Sequence, residues 1–211
     1  MRSVRERPWV FVDLETTGTA AARERITEVA VVRVGPEGDT EEWSTLVHPE
    51  QAIAPMITAI TGIDDAMVRG APRFADIAGD LQQRLAGALF VAHNVSFDYG
   101  FVKAEFARLG QVFEAPTLCT VRLSRQLYPE RSPHTLDAII SRHRLGAAMG
   151  DAARHRALGD ARLIHAFLNH LERDLEPEVL DAALRRLVVE PGAPRASARA
   201  ARHPTPRVRW E

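Results

Sequence analysis

Two acidic residues end an apolar strand pattern near the start of the chain. Asp13 and Glu15 follow the run Trp9–Val12 and precede a Thr-Thr-Gly turn at 16–18. Because successive side chains of a strand point to opposite faces, we expect the two carboxylates on one side. Two anions so close repel each other unless one is protonated or a hard divalent cation lies between them. An arbitrary pair of this kind is usually two solvated acids, so a functional reading needs partners elsewhere in the chain.

Length and composition fit one good-sized globular domain. The chain has 211 residues, of which 45% are hydrophobic and 26% charged, enough for a substantial core. No apolar run approaches the roughly 18 residues of a membrane span, and the charged start lacks the apolar core of a signal peptide. We therefore expect a cytoplasmic location and no membrane partner. Cys119 is the only cysteine, which predicts a buried small apolar residue rather than a disulfide or a cysteine metal site.

Charge is distributed unevenly. Of the 27 basic and 28 acidic residues, five arginines and one glutamate lie beyond residue 190, so residues 1–190 carry a net charge of −5. An acidic body that handles a polyanion needs cations at the point of contact. The segment 191–211 is rich in Pro, Ala and Arg without periodicity, which predicts a disordered basic tail. It is either a solvated extension or a loose contact for nucleic acid or a partner.

Strand patterns come first along the chain. Residues 26–34 and 42–47 predict a second and a third strand, and the short connections favour an antiparallel meander. A buried strand at 89–92 lies between amphipathic helices over 72–85 and 97–109.

Helix patterns dominate the second half. Residues 117–121 predict a last strand, and Asp151 is a candidate N-cap for the longest helical pattern. Strands followed by alternating strands and helices predict an α/β fold with a mixed sheet. We expect one main domain at 1–175, a C-terminal helix at 176–190 and the basic tail at 191–211.

Three later residues supply the partners that the first two acids need. Asp98 follows the short strand, where open α/β sheets place their sites, although it could simply cap a helix. His155 and Asp160 are five residues apart, or about 140° on an ideal helix. They can share a site only if His155 precedes the helix and Asp160 lies on it.

The set is chemically coherent for phosphodiester hydrolysis. Two metal ions can activate water, neutralise charge on the phosphate and stabilise the leaving oxygen. Such ions need several carboxylates, and a neutral histidine could take a proton from the attacking water. The sequence offers His155 as that base and four candidate metal ligands, which are Asp13, Glu15, Asp98 and Asp160.

The same residues carry a family resemblance. FVDLETTG at 11–18, HNVSFD at 93–98 and HRALGDA at 155–161 resemble, in order and approximate spacing, the three motifs of the DnaQ-like, DEDD-type 3′–5′ exonucleases. The histidine-containing DEDDh subclass has its histidine five residues before the last aspartate, as here. Residues 46–65 are also similar to the segment between the first two motifs in bacterial members, which include the proofreading epsilon subunit of DNA polymerase III. The resemblance covers residues 8–172.

The resemblance implies a ribonuclease H-like fold with a mixed five-stranded sheet flanked by helices. It also implies two Mg²⁺ ions, replaceable by Mn²⁺, and release of nucleoside 5′-monophosphates from a 3′ end. The four carboxylates match the family's metal ligands, and His155 matches its general base. Four further positions match residues near the terminal nucleotide, namely Leu14, Thr16, His93 and Phe97. Thr16 could instead stabilise the turn, Phe97 could belong to the core and His93 could bond only to backbone.

Three functions stay open at this point. The first is a DNA 3′-end exonuclease in proofreading, repair or turnover, working alone or with a DNA polymerase or repair complex. The second is an RNA-trimming or oligoribonuclease-type exonuclease, which would use the same catalytic residues and differ in recognition of the 2′-hydroxyl. The third is a catalytically silent docking module, which predicts the loss of an acidic motif position. All five catalytic positions are present, which disfavours the third.

Overall fold

A mixed five-stranded sheet forms the centre of the computed structural model, which describes residues 6–145 and 156–192. Its strands are β1 (Trp9–Thr16), β2 (Ile26–Val34), β3 (Thr40–Leu46), β4 (Leu89–Ala92) and β5 (Thr117–Cys119). The order across the sheet is β3-β2-β1-β4-β5. β2 is antiparallel to β1 and β3, whereas β4 and β5 run parallel to β1. The predicted meander and mixed sheet are therefore confirmed.

Helices cover both faces of this sheet. Over the described ranges they are α1 (Pro55–Thr61), α2 (Asp65–Val68), α3 (Phe74–Leu85), α4 (Val95–Arg108), α5 (Thr120–Leu127), α6 (Leu136–His143), α7 (Ala157–Asp174) and α8 (Pro177–Leu187). None of these helices is both long and apolar enough to cross a membrane.

The alternation along β1 separates two cores. Val10, Val12 and Leu14 face one core, which α3 and α4 complete. Phe11 faces the other, together with Ala30 of β2 and the buried side of α7. This division decides the direction of the acids that follow Phe11, because alternate residues share a face.

β5 ends two residues earlier than the sequence predicts, and a threonine lies at the start of each of the next two helices. β5 stops at Cys119 because Thr120 begins α5, and its hydroxyl donates to the Ala92 carbonyl oxygen at 3.3 Å. α6 begins at Leu136 because Thr135 acts as its N-cap, accepting a hydrogen bond from the Ala138 N–H. Cys119 is buried, as predicted.

The C-terminal helix packs onto the second core. α8 buries Leu180, Ala183, Leu184 and Leu187, which belong to the same cluster as the buried face of α7. Beyond α8, Val189 and Thr117 exchange backbone hydrogen bonds of 2.9 Å, so the chain returns to the edge strand β5. Most of the predicted basic tail, from residue 193 onward, lies outside the described residues.

Candidate functional site

β1 directs its two acids toward α7. The Phe11 ring lies 4.8 Å, between centroids, from the His165 ring of α7. Asp13 and Glu15 follow at alternate positions on the same strand and therefore project to that face. Both keep intermediate exposure, whereas Leu14 between them is buried on the opposite side.

Asp98 reaches the same end of the sheet from β4. Because β4 is parallel to β1, the carboxyl ends of the two strands lie at one edge. Asp98 lies in the first turn of α4 and is 3% exposed. Its carboxylate accepts hydrogen bonds from its own N–H and from the Leu14 N–H. The simple N-cap alternative is wrong, since Asn94 occupies that position.

Asp160 is the fourth predicted carboxylate, and it lies on α7, the helix that packs on the second core. It lies in the first turn of α7, directly before Ala161, which is buried in the core beneath that helix. The placement of Asp160 on the helix agrees with the sequence expectation. His155 lies outside the described residues, so its position relative to the carboxylates stays a prediction.

The four carboxylates interact electrostatically. Burial raises the pKa of Asp13 well above its usual range, and repulsion from Asp98, Asp160 and Glu15 raises it further. Burial, with repulsion from Glu28 and Asp160, raises the pKa of Glu15 to about 8. The pKa of Asp98 is also raised, chiefly by burial. Three elements thus bring negative groups into one poorly solvated space.

This donor set fits a hard divalent cation. Buried oxygen anions that repel each other are the groups that Mg²⁺ or Mn²⁺ neutralises best. In the described ranges, no three His, Cys, Asp or Glu side chains are already placed to hold a metal ion.

The predicted nucleotide-binding positions all have contacts within the protein. The Thr16 hydroxyl donates to the Gly18 carbonyl oxygen at 2.7 Å, which stabilises the turn. The Phe97 ring lies 4.9 Å from that of Phe101, and Leu14 is core. These contacts match the structural alternatives for Thr16 and Phe97, and they do not test a role in substrate binding.

His93 is held by its neighbours on both sides. Its Nδ1 lies 3.0 Å from the Thr120 hydroxyl oxygen. Burial lowers the pKa of His93 to about 4, against the opposing effect of a hydrogen bond to the His134 backbone. His93 is therefore neutral near pH 7 and ties the end of β4 to the segment before α6.

A hydrogen-bond network fixes the Thr-Thr-Gly turn. The Thr17 hydroxyl donates to Glu24 at 2.6 Å and accepts from the Gln51 amide at 2.7 Å. It also accepts from the Arg25 backbone N–H at 3.0 Å. The segment before α1 is thereby joined to the turn that follows the two acids, which the sequence did not predict.

Glu28 and Arg156 were also missed by the sequence patterns. Glu28 is 3% exposed and binds the Arg156 guanidinium and the Ala157 N–H. α7 therefore begins at Ala157, with Arg156 at its N-cap. The prediction that Asp151 caps this helix is wrong, because the N-cap residue is Arg156 and the Ala157 N–H donates to Glu28 of β2. Asp151 itself lies outside the described residues. The sequence contained one signal for this pair, which is that Glu28 lies within the β-branched run 26–34. An acid in a buried strand usually has a charged partner, because acids are rarely buried unless paired.

Comparison with known proteins identifies the family of the chain. The model of the exonuclease family matches residues 10–168. This span is more than half of the 211 residues, and the chain therefore belongs to this exonuclease family.

Individual relatives show how far the likeness extends. A DNA polymerase III subunit epsilon-like protein of Rhodobacter capsulatus is 38% identical over 155 residues, which cover 72% of this chain and 22% of that protein. The chain thus spans about a fifth of that relative's length.

Solved structures show the same fold. Exonuclease X in complex with 5′ overhanging duplex DNA has a TM-score of 0.65 and 26% identity, covering 83% of this chain and 98% of that one. Exonuclease I has a TM-score of 0.71 and 19% identity, covering 85% of this chain and 43% of that one. The predicted ribonuclease H-like fold is confirmed.

Proposed function

We propose that the chain is a metal-dependent 3′–5′ exonuclease of the DEDDh class that releases nucleoside 5′-monophosphates from DNA 3′ ends. The observation that carries this proposal is the convergence of carboxylates from β1, α4 and α7 on one small region. Ionised carboxylates that repel one another destabilise a fold unless a bound cation neutralises them. Clusters of residues with shifted pKa values are also typical of functional sites. Membership of the exonuclease family supports hydrolysis of nucleic acid as the reaction.

Four side chains would hold two Mg²⁺ ions, or Mn²⁺ in their place, and these are Asp13, Glu15, Asp98 and Asp160. When bound, the ions supply Lewis-acid stabilisation of phosphate charge and a more acidic water. His155 takes the proton of the attacking water as general base. The Leu14 N–H holds the Asp98 carboxylate against β1, so that ligand needs little reorganisation.

DNA is the favoured substrate. Exonuclease X was solved with DNA, and the Rhodobacter relative is named for a DNA polymerase subunit. We propose Leu14, Thr16, His93 and Phe97 as the residues nearest the terminal nucleotide. Proofreading with a polymerase, repair and stand-alone turnover are the roles that follow from this substrate. The proposed catalytic domain is 1–175, with the helix at 176–190 and the segment 191–211 as attachments.

Degradation of 5′-labelled single strands tests the proposal. DNA and RNA of one sequence are incubated with Mg²⁺, Mn²⁺ or EDTA. We expect a ladder of products shortened from the 3′ end with either metal, none with EDTA, and faster shortening of DNA. Loss of the label as a mononucleotide from the start would contradict the 3′–5′ direction, and activity in EDTA would contradict the metal requirement. Faster shortening of RNA would instead favour the RNA-trimming function.

A further inference from the structure

A buried acid lies directly beside the proposed metal ligands. Glu28 of β2 is the antiparallel register partner of Glu15 of β1. Directly opposed residues project to the same face of a sheet, so both carboxylates point toward α7. Glu28 is 3% exposed, and a buried anion beside another anion requires a counter-charge.

Arg156 provides that counter-charge in a forked contact. Its Nε lies 3.2 and 3.1 Å from the two Glu28 carboxylate oxygens, and its Nη2 lies 2.7 Å from Oε1. The Ala157 N–H donates to Oε2 of the same carboxylate at 3.1 Å. Arg156 is the N-cap residue of α7 and makes no side-chain cap itself. Glu28 therefore accepts a hydrogen bond from an N–H group at the start of this helix, although the two residues are 129 positions apart in the sequence.

The contact fixes the part of α7 nearest the proposed chemistry. Asp160 lies in the first turn that this contact anchors. His155 is joined to Arg156 by one peptide bond. We infer that the Glu28–Arg156 pair positions the start of α7 against β1, and so aligns Asp160 with Glu15. This inference rests on the proposed function, because it assigns those residues their catalytic roles.

A second ion pair on the same helix provides a matched control. Arg162 of α7 makes a forked contact with Glu42 of β3, its Nε lying 2.9 Å from Oε1. Glu42 pairs in register with Val32, four residues beyond Glu28 along β2 and so about 13 Å away. Both partners of this pair are partly exposed. It joins the same helix to the same sheet without reaching the carboxylates.

The test compares four variants in single-strand hydrolysis at saturating Mg²⁺. Arg156→Ala removes the fork, Arg156→Lys keeps the charge without the fork, Glu28→Gln keeps the shape without the charge, and Arg162→Ala is the control. Because displacement by about 1 Å can cost about a hundredfold in rate, we expect Arg156→Ala to lower kcat by roughly 10–100-fold. KM for the strand should change by less than about threefold, since Arg156 is not assigned to strand binding.

The remaining variants separate positioning from general destabilisation. Arg156→Lys and Glu28→Gln should keep the fold, shown by an unchanged circular dichroism spectrum, and give intermediate kcat values. Arg162→Ala should keep kcat within about twofold of wild type although it also loses a forked ion pair between α7 and the sheet.

Two outcomes would overturn the inference, and they are distinguishable. If the wild type shortens 3′ ends but folded Arg156→Lys, Glu28→Gln and Arg156→Ala all match Arg162→Ala in kcat, the positioning role is wrong while the proposed function stands. If the wild type does not shorten nucleic acid with either metal, the proposed function fails and the inference fails with it.

Discussion

We expect Asp13→Asn to abolish hydrolysis and at the same time to stabilise the metal-free protein. The substitution removes a proposed metal ligand, so we expect a rate loss of about a thousandfold or more. It also removes a poorly solvated carboxyl group whose ionised form is repelled by Asp98, Asp160 and Glu15. In EDTA the variant should therefore unfold at a temperature a few degrees higher than wild type.

The stability gain has a definite pH dependence. The pKa of Glu15 is about 8 in the folded chain against 4.5 in the unfolded chain, and that of Asp13 is raised as well. The unfolded state releases these protons first as pH rises, so the metal-free fold loses stability between those values. Asp13→Asn should therefore gain more over wild type near pH 8 than near pH 5.

Thermal unfolding in EDTA at the two pH values measures this effect. Asp80→Asn is the matched control, because it makes the same charge change at an exposed position of α3. Equal melting temperatures for Asp13→Asn and wild type near pH 8 would show that the carboxylates do not repel one another as described.

We expect His155→Ala to lower turnover without lowering metal affinity. A positioned general base typically contributes about 10²–10⁴-fold to a rate. His155 is assigned to proton transfer and not to metal coordination, so the Mg²⁺ concentration that gives half-maximal rate should stay within about twofold of wild type.

Single-turnover hydrolysis over a range of Mg²⁺ concentrations separates the two effects. His170→Ala is a suitable control, since it lies on α7 ten residues beyond Asp160, or about 15 Å along the helix. A variant that recovers the wild-type rate at saturating Mg²⁺ would assign His155 to metal binding and contradict its role as base.

Local patterns in the sequence were sufficient for much of the fold. Alternation along β1 predicted that Asp13 and Glu15 share a face, and the structure places both toward α7. β-branched runs with short connections predicted the meander of β1, β2 and β3. Such signals lie within a few residues of each other, which is why they can be read without a structure.

Contacts between distant residues were not predictable in the same way. Glu28 and Arg156 are separated by 128 residues, and neither has a local pattern that names the other. The start of α7 was placed too early for the same reason, since its first N–H groups are satisfied by a strand rather than by a preceding side chain. The network around Thr17 joins residues 17, 24 and 51 through loops, whose geometry depends on the assembled sheet.

Anomalous diffraction from crystals soaked with Mn²⁺ and a nucleoside 5′-monophosphate tests the central claim most directly. The claim is that the carboxylates of β1, α4 and α7 form one metal centre. It predicts two Mn²⁺ peaks roughly 3.5–4 Å apart, within coordination distance of Asp13, Glu15, Asp98 and Asp160. Manganese bound only at other positions, or no peak beside these four carboxylates, would contradict it.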